Sequence, residues 1–122
     1  MAILFLTLVL VVHSFQHGIT VLLINMSNST TFRVSLVNDM NLYPNKEGGS
    51  PNSMREEYHL TPKDGNIQSE VVLLNGTPLK LTRSLDIPKM KPKLVDPSST
   101  VKVKPDSIVF VNSKNFQAPA CS

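Results

Sequence analysis

Helix-breaking and turn-forming residues occur so often along this chain that long helices are not expected. Its 122 residues include 9 prolines and 5 glycines, and proline lacks the backbone N–H that a helix interior needs. The runs between them are rich in Val, Ile and Thr, which favour strands. Tryptophan is absent and aromatic residues are few, so the core has to be aliphatic. The pattern predicts one domain, an antiparallel β-sandwich of about seven short strands.

The first strand signals are apolar runs that end at turn residues. Residues 18–25 are almost continuously apolar, and residues 31–37 alternate between apolar and polar. The turn between these runs predicts a hairpin. A second hairpin is predicted for residues 55–60 and 69–74, because the turn at residues 63–66 contains Asp-Gly, which suits positive φ angles.

The later part of the chain holds more prolines and two further strand signals. Residues 100–104 alternate, which predicts Val101 and Val103 facing inward and the intervening lysines facing outward. Residues 107–111 are apolar enough to be the most buried strand. By contrast, residues 38–53 contain Pro and Gly, and their apolar residues recur at neither strand nor helix spacing. This pattern predicts a long polar loop.

The first residues form an apolar segment with two interpretations. Residues 2–12 contain one polar residue, Thr7, and match the h-region of a signal peptide cleaved after Ser14. The alternative is a buried β-strand. A helix of this length is too short to span a bilayer, although the segment allows membrane association. We therefore divide the chain into a signal-like segment, 1–14, and a β-sandwich module, 15–122.

Composition argues against several classes of function. A net charge of +3 is too small to indicate a nucleic-acid partner. Cys121 is the only cysteine, so neither an internal disulfide nor a multi-cysteine zinc site is expected. Nucleophile elbows and phosphate-binding glycine loops are also missing from the sequence. We assign no catalytic, metal or cofactor-binding residue, and no cofactor.

The titratable residues form no recognisable catalytic or metal site. Glu56 and Glu57 are adjacent, and neighbours in a strand point to opposite faces, so they cannot flank one glycosidic bond. We interpret them as solvated charges at a strand edge. His13 and His17 have a metal-binding spacing only on a helix, and a third ligand is missing. His59 is predicted to be a surface or hydrogen-bonded residue.

Three N-glycosylation sequons occur at predicted turns, where an attached glycan would be solvated. They begin at Asn25, Asn28 and Asn75. The alternative is that these are ordinary turn residues. Together with the apolar N-terminal segment, the sequons favour the secretory pathway, with an extracellular, cell-wall or vacuolar-lysosomal destination.

A basic stripe follows in the second half of the chain. It is either a solvated face or a surface for an anionic glycan or membrane. Aromatic residues do not interleave it, so binding of single-stranded nucleic acid is not expected. The stripe consists of Lys89, Lys91, Lys93, Lys102 and Lys104.

Residues 55–81, REEYHLTPKDGNIQSEVVLLNGTPLKL, closely resemble the C-terminal region of plant heparanase-like proteins, members of glycoside hydrolase family 79. The segments GITVLLINMSNSTTFRVSL and SIVFVNSKNFQAPAC fit the same family, so the resemblance covers roughly residues 17–121. It implies a β-sandwich packed beside a catalytic (β/α)8 barrel, whose two glutamates cleave β-glucuronide linkages with retention. This chain resembles the sandwich alone, and neither catalytic glutamate has a match here.

The resemblance therefore implies an accessory sandwich fragment that is not catalytic by itself, with a barrel supplied elsewhere. Two departures stand out. The family's Ala-His-Cys, whose cysteine is expected to pair with the terminal one, corresponds to Val12-His13-Ser14, which leaves Cys121 an unpaired thiol. Residues 1–11 resemble a new start, as in a truncated gene copy or a gene model that begins inside an exon. The alternatives are a secreted glycan-binding module that uses the lysine stripe, or a non-functional truncated product.

Overall fold

A computed structural model describes residues 6–12, 19–36 and 54–113, with the backbone alone for residues 6–12. The prediction of an all-β fold is confirmed. Nine strands occur in these ranges, somewhat more than predicted because several are very short. They are β1 (Leu6–Val12), β2 (Ile19–Asn25), β3 (Phe32–Val34), β4 (Arg55–Pro62), β5 (Val72–Leu74), β6 (Thr77–Pro78), β7 (Lys93–Val95), β8 (Val101–Val103) and β9 (Ser107–Ser113).

The strands form two antiparallel sheets. The large sheet has the order β1-β2-β9-β4-β5-β6, and β7 pairs with β4 beside this path. The small sheet consists of β3 and β8. Side chains from the two sheets pack against each other in one hydrophobic core, which confirms the sandwich architecture.

The core lies between the small sheet and the centre of the large sheet. Alternation along each strand sends every second residue to this interior. On β8 it buries the two valines and exposes the lysine between them, as predicted. The fully buried residues are Val21, Leu23, Val101, Val103, Val109 and Val111, and Phe32, Val34 and Leu36 pack against them.

The predicted hairpin between β2 and β3 is wrong. Strand β2 lies between β1 and β9 in the large sheet, whereas β3 pairs with β8 in the small sheet. The Asn25 amide donates hydrogen bonds to the carbonyls of Val103 and Lys104, and its Oδ1 accepts the N–H of Ser27. These bonds turn the chain out of the large sheet toward β8.

The second predicted hairpin is confirmed, with β4 and β5 paired antiparallel. A short 3-10 turn, Lys63–Gly65, begins the connection. Asp64 and Gly65 have φ angles of 55° and 68°, which are the positive values that favour Asp-Gly at such a turn. The predicted loop at residues 38–53 lies outside the described residues.

Strand β1 pairs with β2 along its whole length, from Leu6 opposite Asn25 to Val12 opposite Ile19. This pairing agrees with the interpretation of the apolar segment as a β-strand. Signal-peptide function, and cleavage after Ser14, stay predictions. In the part of the chain that the structure describes, no helix is long and apolar enough to cross a membrane.

Candidate functional site

Strand β4 places three charged or polar side chains on the inner face of the large sheet. Arg55, Glu57 and His59 are two residues apart, so all three point to the same side. Glu57 lies opposite Val111, and His59 opposite Val109, on β9. The row of core residues therefore continues into a charged cluster, in which Arg55 and Glu57 are buried.

Short hydrogen bonds join this cluster. The Nε of Arg55 lies 2.6 Å from Glu57 Oε2, and His59 Nε2 lies 2.7 Å from Glu57 Oε1. The Nη1 of Arg55 donates to the carbonyl of Pro97 at 3.3 Å, whereas its buried Nη2 has no partner among the described residues. Both oxygens of the carboxylate are therefore occupied by neighbours within the fold.

Opposing effects set the pKa of Glu57. Burial raises the pKa of this carboxyl, but the hydrogen bonds from His59 and Arg55, together with their charges, outweigh burial and hold it below its ordinary value. Glu57 is accordingly an ionised carboxylate held between the Arg55 guanidinium and the His59 ring. Both hydrogen bonds to Glu57 lie within β4, and the bond from Arg55 to Pro97 connects this strand to the chain after β7.

The interpretation of both glutamates as solvated edge charges is wrong for Glu57. Strand β4 is interior to the sheet, and Glu57 is only 3% exposed. Glu56 points to the opposite face, as predicted, where it accepts a hydrogen bond from Asn112 at 3.4 Å. A retaining glycosidase needs two carboxyl groups about 5–5.5 Å apart across one substrate, and opposite faces of a sheet do not provide that geometry.

Three of the predicted lysines line a groove beside β5 and β6. Lys89, Lys91 and Lys93 surround it together with Lys80, which is not part of the predicted stripe. The groove has a volume of about 490 Å³, and Asn75 and several prolines complete its walls. None of the described residues that line it is acidic, so every charged residue of the lining is basic.

The other two lysines of the stripe lie elsewhere. Lys102 is on β8 of the small sheet, opposite Arg33, and Lys104 follows that strand. Both are exposed, as predicted, and neither lines the groove. The structure therefore divides the stripe into a groove cluster, Lys80, Lys89, Lys91 and Lys93, and a small-sheet cluster, Arg33, Lys102 and Lys104.

The outer face of the large sheet is apolar although no second sheet of the described residues covers it. In one row Leu22 and Tyr58 flank Phe110, and in the next Ile24 and Leu60 flank Ile108. Phe110 and Ile108 are each 38% exposed. We call these six residues the outer face; side chains of this type in contiguous rows are typical of an interaction surface.

The remaining predicted sites have different surroundings. Asn28 is exposed, but the expectation of a solvated turn is wrong for Asn25, which is 2% exposed. Within residues 19–36 and 54–113, no three metal-ligating side chains form a group. The candidates His13, His17 and Cys121 lie outside the described residues.

Several curated plant proteins are similar to this chain. Heparanase-like protein 2 of Arabidopsis thaliana is 40% identical over 86% of the chain and 23% of its own length. Heparanase-like protein 3 of the same plant is 40% identical over 86% of the chain and 22% of its length. The baicalin-beta-D-glucuronidase of Scutellaria baicalensis is 41% identical over 80% of the chain and 16% of its length. No protein-family model matches. The chain thus spans less than a quarter of these relatives.

Proposed function

We propose, from the premise that this chain is related to the plant heparanase-like proteins, that it acts as the accessory β-sandwich of a heparanase-like glycosidase. Its substrates would be glucuronic-acid-containing glycans, and a separate catalytic unit would carry out the hydrolysis. The outer face is the observation that carries this proposal. It offers the surface on which a catalytic barrel would dock.

The charges on β4 support the same assignment. Glu57 is ionised, buried and occupied on both oxygens by Arg55 and His59, whereas Glu56 lies on the other face of the sheet. A general acid must instead hold a proton near neutral pH, and a nucleophile must reach the sugar. On this proposal the cluster around Glu57 is structural, and neither glutamate cleaves a glycan.

The first test asks whether the chain catalyses anything alone. The purified chain is incubated with an aryl β-glucuronide, and release of the phenol is followed, with a glucuronidase as positive control. We expect no release above the rate in buffer. Turnover that copurifies with the chain and is lost in Glu57→Gln would contradict the assignment of a non-catalytic role.

The second test asks whether the outer face docks a barrel. The isolated catalytic barrel of a heparanase-like relative is mixed with the chain, and complex formation is measured by analytical ultracentrifugation. Phe110→Asp should abolish the complex because it places a charge in the apolar contact. The matched control Lys102→Asp, which also introduces a carboxylate on an exposed strand position, should leave it intact. Equal binding by both variants would exclude the outer face.

A second function, binding of acidic glycans, is favoured by the groove cluster. Four ammonium groups around one concave surface attract carboxylated or sulfated sugars, and no acidic residue of the described lining opposes them. On this proposal the chain reaches such glycans through the secretory pathway. The sandwich would then hold the polymer on which a catalytic unit acts.

Retention on an acidic polysaccharide column tests this function. The triple variant Lys89→Gln, Lys91→Gln and Lys93→Gln should elute at markedly lower salt than the unchanged chain. The matched control removes three charges from the small-sheet cluster, with Arg33→Gln, Lys102→Gln and Lys104→Gln. An equal loss of retention in both would mean that net charge, not the groove, binds the polymer.

A further inference from the structure

The three sequons differ in what their side-chain amides do in the folded chain. N-glycosylation transfers an oligosaccharide from a lipid diphosphate carrier to the asparagine Nδ2. The new N–C bond forms as the anomeric C–O bond to the diphosphate breaks, and the nitrogen gives up one of its two protons. The modified residue then has one N–H left and needs space for a sugar.

The amide of Asn25 has no room for this change. Asn25 is 2% exposed, and its Nδ2 lies 2.8 Å from the carbonyl oxygen of Thr30, 3.2 Å from that of Val103 and 2.9 Å from that of Lys104. The two N–H groups thus bind carbonyls from both the turn after β2 and the end of β8. A sugar on this nitrogen would remove at least one of these bonds and would have no space beside a side chain that is almost fully buried.

The amide of Asn75 is also used within the fold. Its Nδ2 donates to the carbonyls of Glu57 and Lys91, at 3.3 and 3.2 Å. Its Oδ1 accepts the N–H of His59 at 2.9 Å. Asn75 therefore connects β4 with the segment before β7, and a glycan would break at least one of these connections.

Asn28 has the opposite surroundings. The residue and the two that follow it are exposed, and among the residues described its side chain forms no hydrogen bond. The turn is held instead by Ser27, whose Oγ accepts the N–H groups of Ser29 and Thr30. Asn28 is thus presented at the surface, by a turn whose bonds do not involve its amide.

We propose that Asn28 is the N-glycosylation site of this chain, and that Asn25 and Asn75 carry no glycan in the folded protein. The other two asparagines act as structural amides. A chain that carries a glycan on Asn25 cannot form the sandwich. Folded molecules are therefore those in which the Asn25 amide is unmodified.

The test follows glycan position in the folded chain. The full chain is expressed in plant cells behind a cleavable secretory leader, so that all three sequons meet the oligosaccharide transferase. The soluble, protease-resistant pool is collected from both the secretory lumen and the medium, which makes the result independent of export. Glycopeptide mass spectrometry should find one glycan, on Asn28.

Two matched variants remove a sequon without touching its asparagine. Thr30→Ala should abolish the glycan and give one mobility step on a gel, whereas Thr77→Ala should leave it unchanged. Glycan on Asn25 or Asn75 in the protease-resistant pool would overturn the proposal. So would an unmodified Asn28 in the unchanged chain, or loss of the glycan in Thr77→Ala.

Discussion

The two faces of the large sheet have similar amino acids and different surroundings. On the inner face Val109 and Val111 are fully buried beneath the small sheet. Their neighbours on the same strand, Ile108 and Phe110, point outward and are each 38% exposed. Hydrophobicity alone therefore does not determine burial in this sheet; what matters is which face meets the small sheet.

The two faces also differ in how they treat charged and apolar side chains. The inner face buries an ion pair between Arg55 and Glu57, whereas the outer face leaves large apolar side chains in solvent. Burying charge costs solvation energy, and exposing apolar area forgoes the hydrophobic effect. The large sheet combines both features, one on each of its faces.

The largest effect is expected from Glu57→Gln. This change leaves the buried guanidinium of Arg55 without its counterion, and breaking a buried pair in this way costs about 3–5 kcal/mol. The free energy of unfolding is measured by urea titration. The control is Glu56→Gln on the opposite side of the same strand, where a partly exposed carboxylate should contribute less than about 1 kcal/mol. If the two variants lost equal stability, the distinction between the faces would not extend to charge.

A smaller effect is expected from trimming apolar residues on adjacent positions of β9. Val109→Ala removes two methyl groups from the closed core and should cost about 2–3 kcal/mol. Ile108→Ala removes one carbon more, yet should cost only about 1–1.5 kcal/mol, because this side chain is partly in water already. Thermal unfolding of both variants gives the ranking, and a reversed order would show that the outer face is covered in the isolated chain.

The smallest effect is expected from pH. Because the pKa of folded Glu57 lies below its ordinary value of 4.5, the unfolded chain takes up this proton first as the pH falls. The resulting stabilisation is fully present above pH 4.5 and is lost as the pH drops through the folded value. Opposing contributions from burial and hydrogen bonding keep this shift modest. Urea titrations between pH 6 and 3 should therefore show a steeper loss for the unchanged chain than for Glu57→Gln; parallel curves would remove Glu57 as the cause.

Much of this fold follows from local sequence. The period of two places Val101 and Val103 inward with Lys102 outward, and Asp-Gly positions the turn after β4, because both effects act within a few residues. The partner of β3 could not be predicted in this way. Its pairing with β8 rather than β2 joins residues far apart in the chain, as do the hydrogen bonds of Asn25 at the end of β2.

The burial of the charged cluster also depends on residues that are distant in the sequence. The spacing of Arg55, Glu57 and His59 already indicates one shared face of a strand. Their burial, however, depends on β9, since Glu57 lies opposite Val111. Lys80 was missed for a related reason, because the loops bring it beside Lys89 and Lys91 only in the folded chain.

Strand β1 has a consequence for how the chain is processed. Among the described strands it is the outermost of the large sheet, and all of β2 pairs with it. The same residues make up the predicted h-region, and one segment cannot be both a permanent strand and a discarded leader. Removal of residues 1–14 would leave β2 with a row of unpaired N–H and C=O groups, through which strands of separate molecules join. Keeping these residues therefore closes this edge of β2, and removing them opens it to strand addition by another molecule.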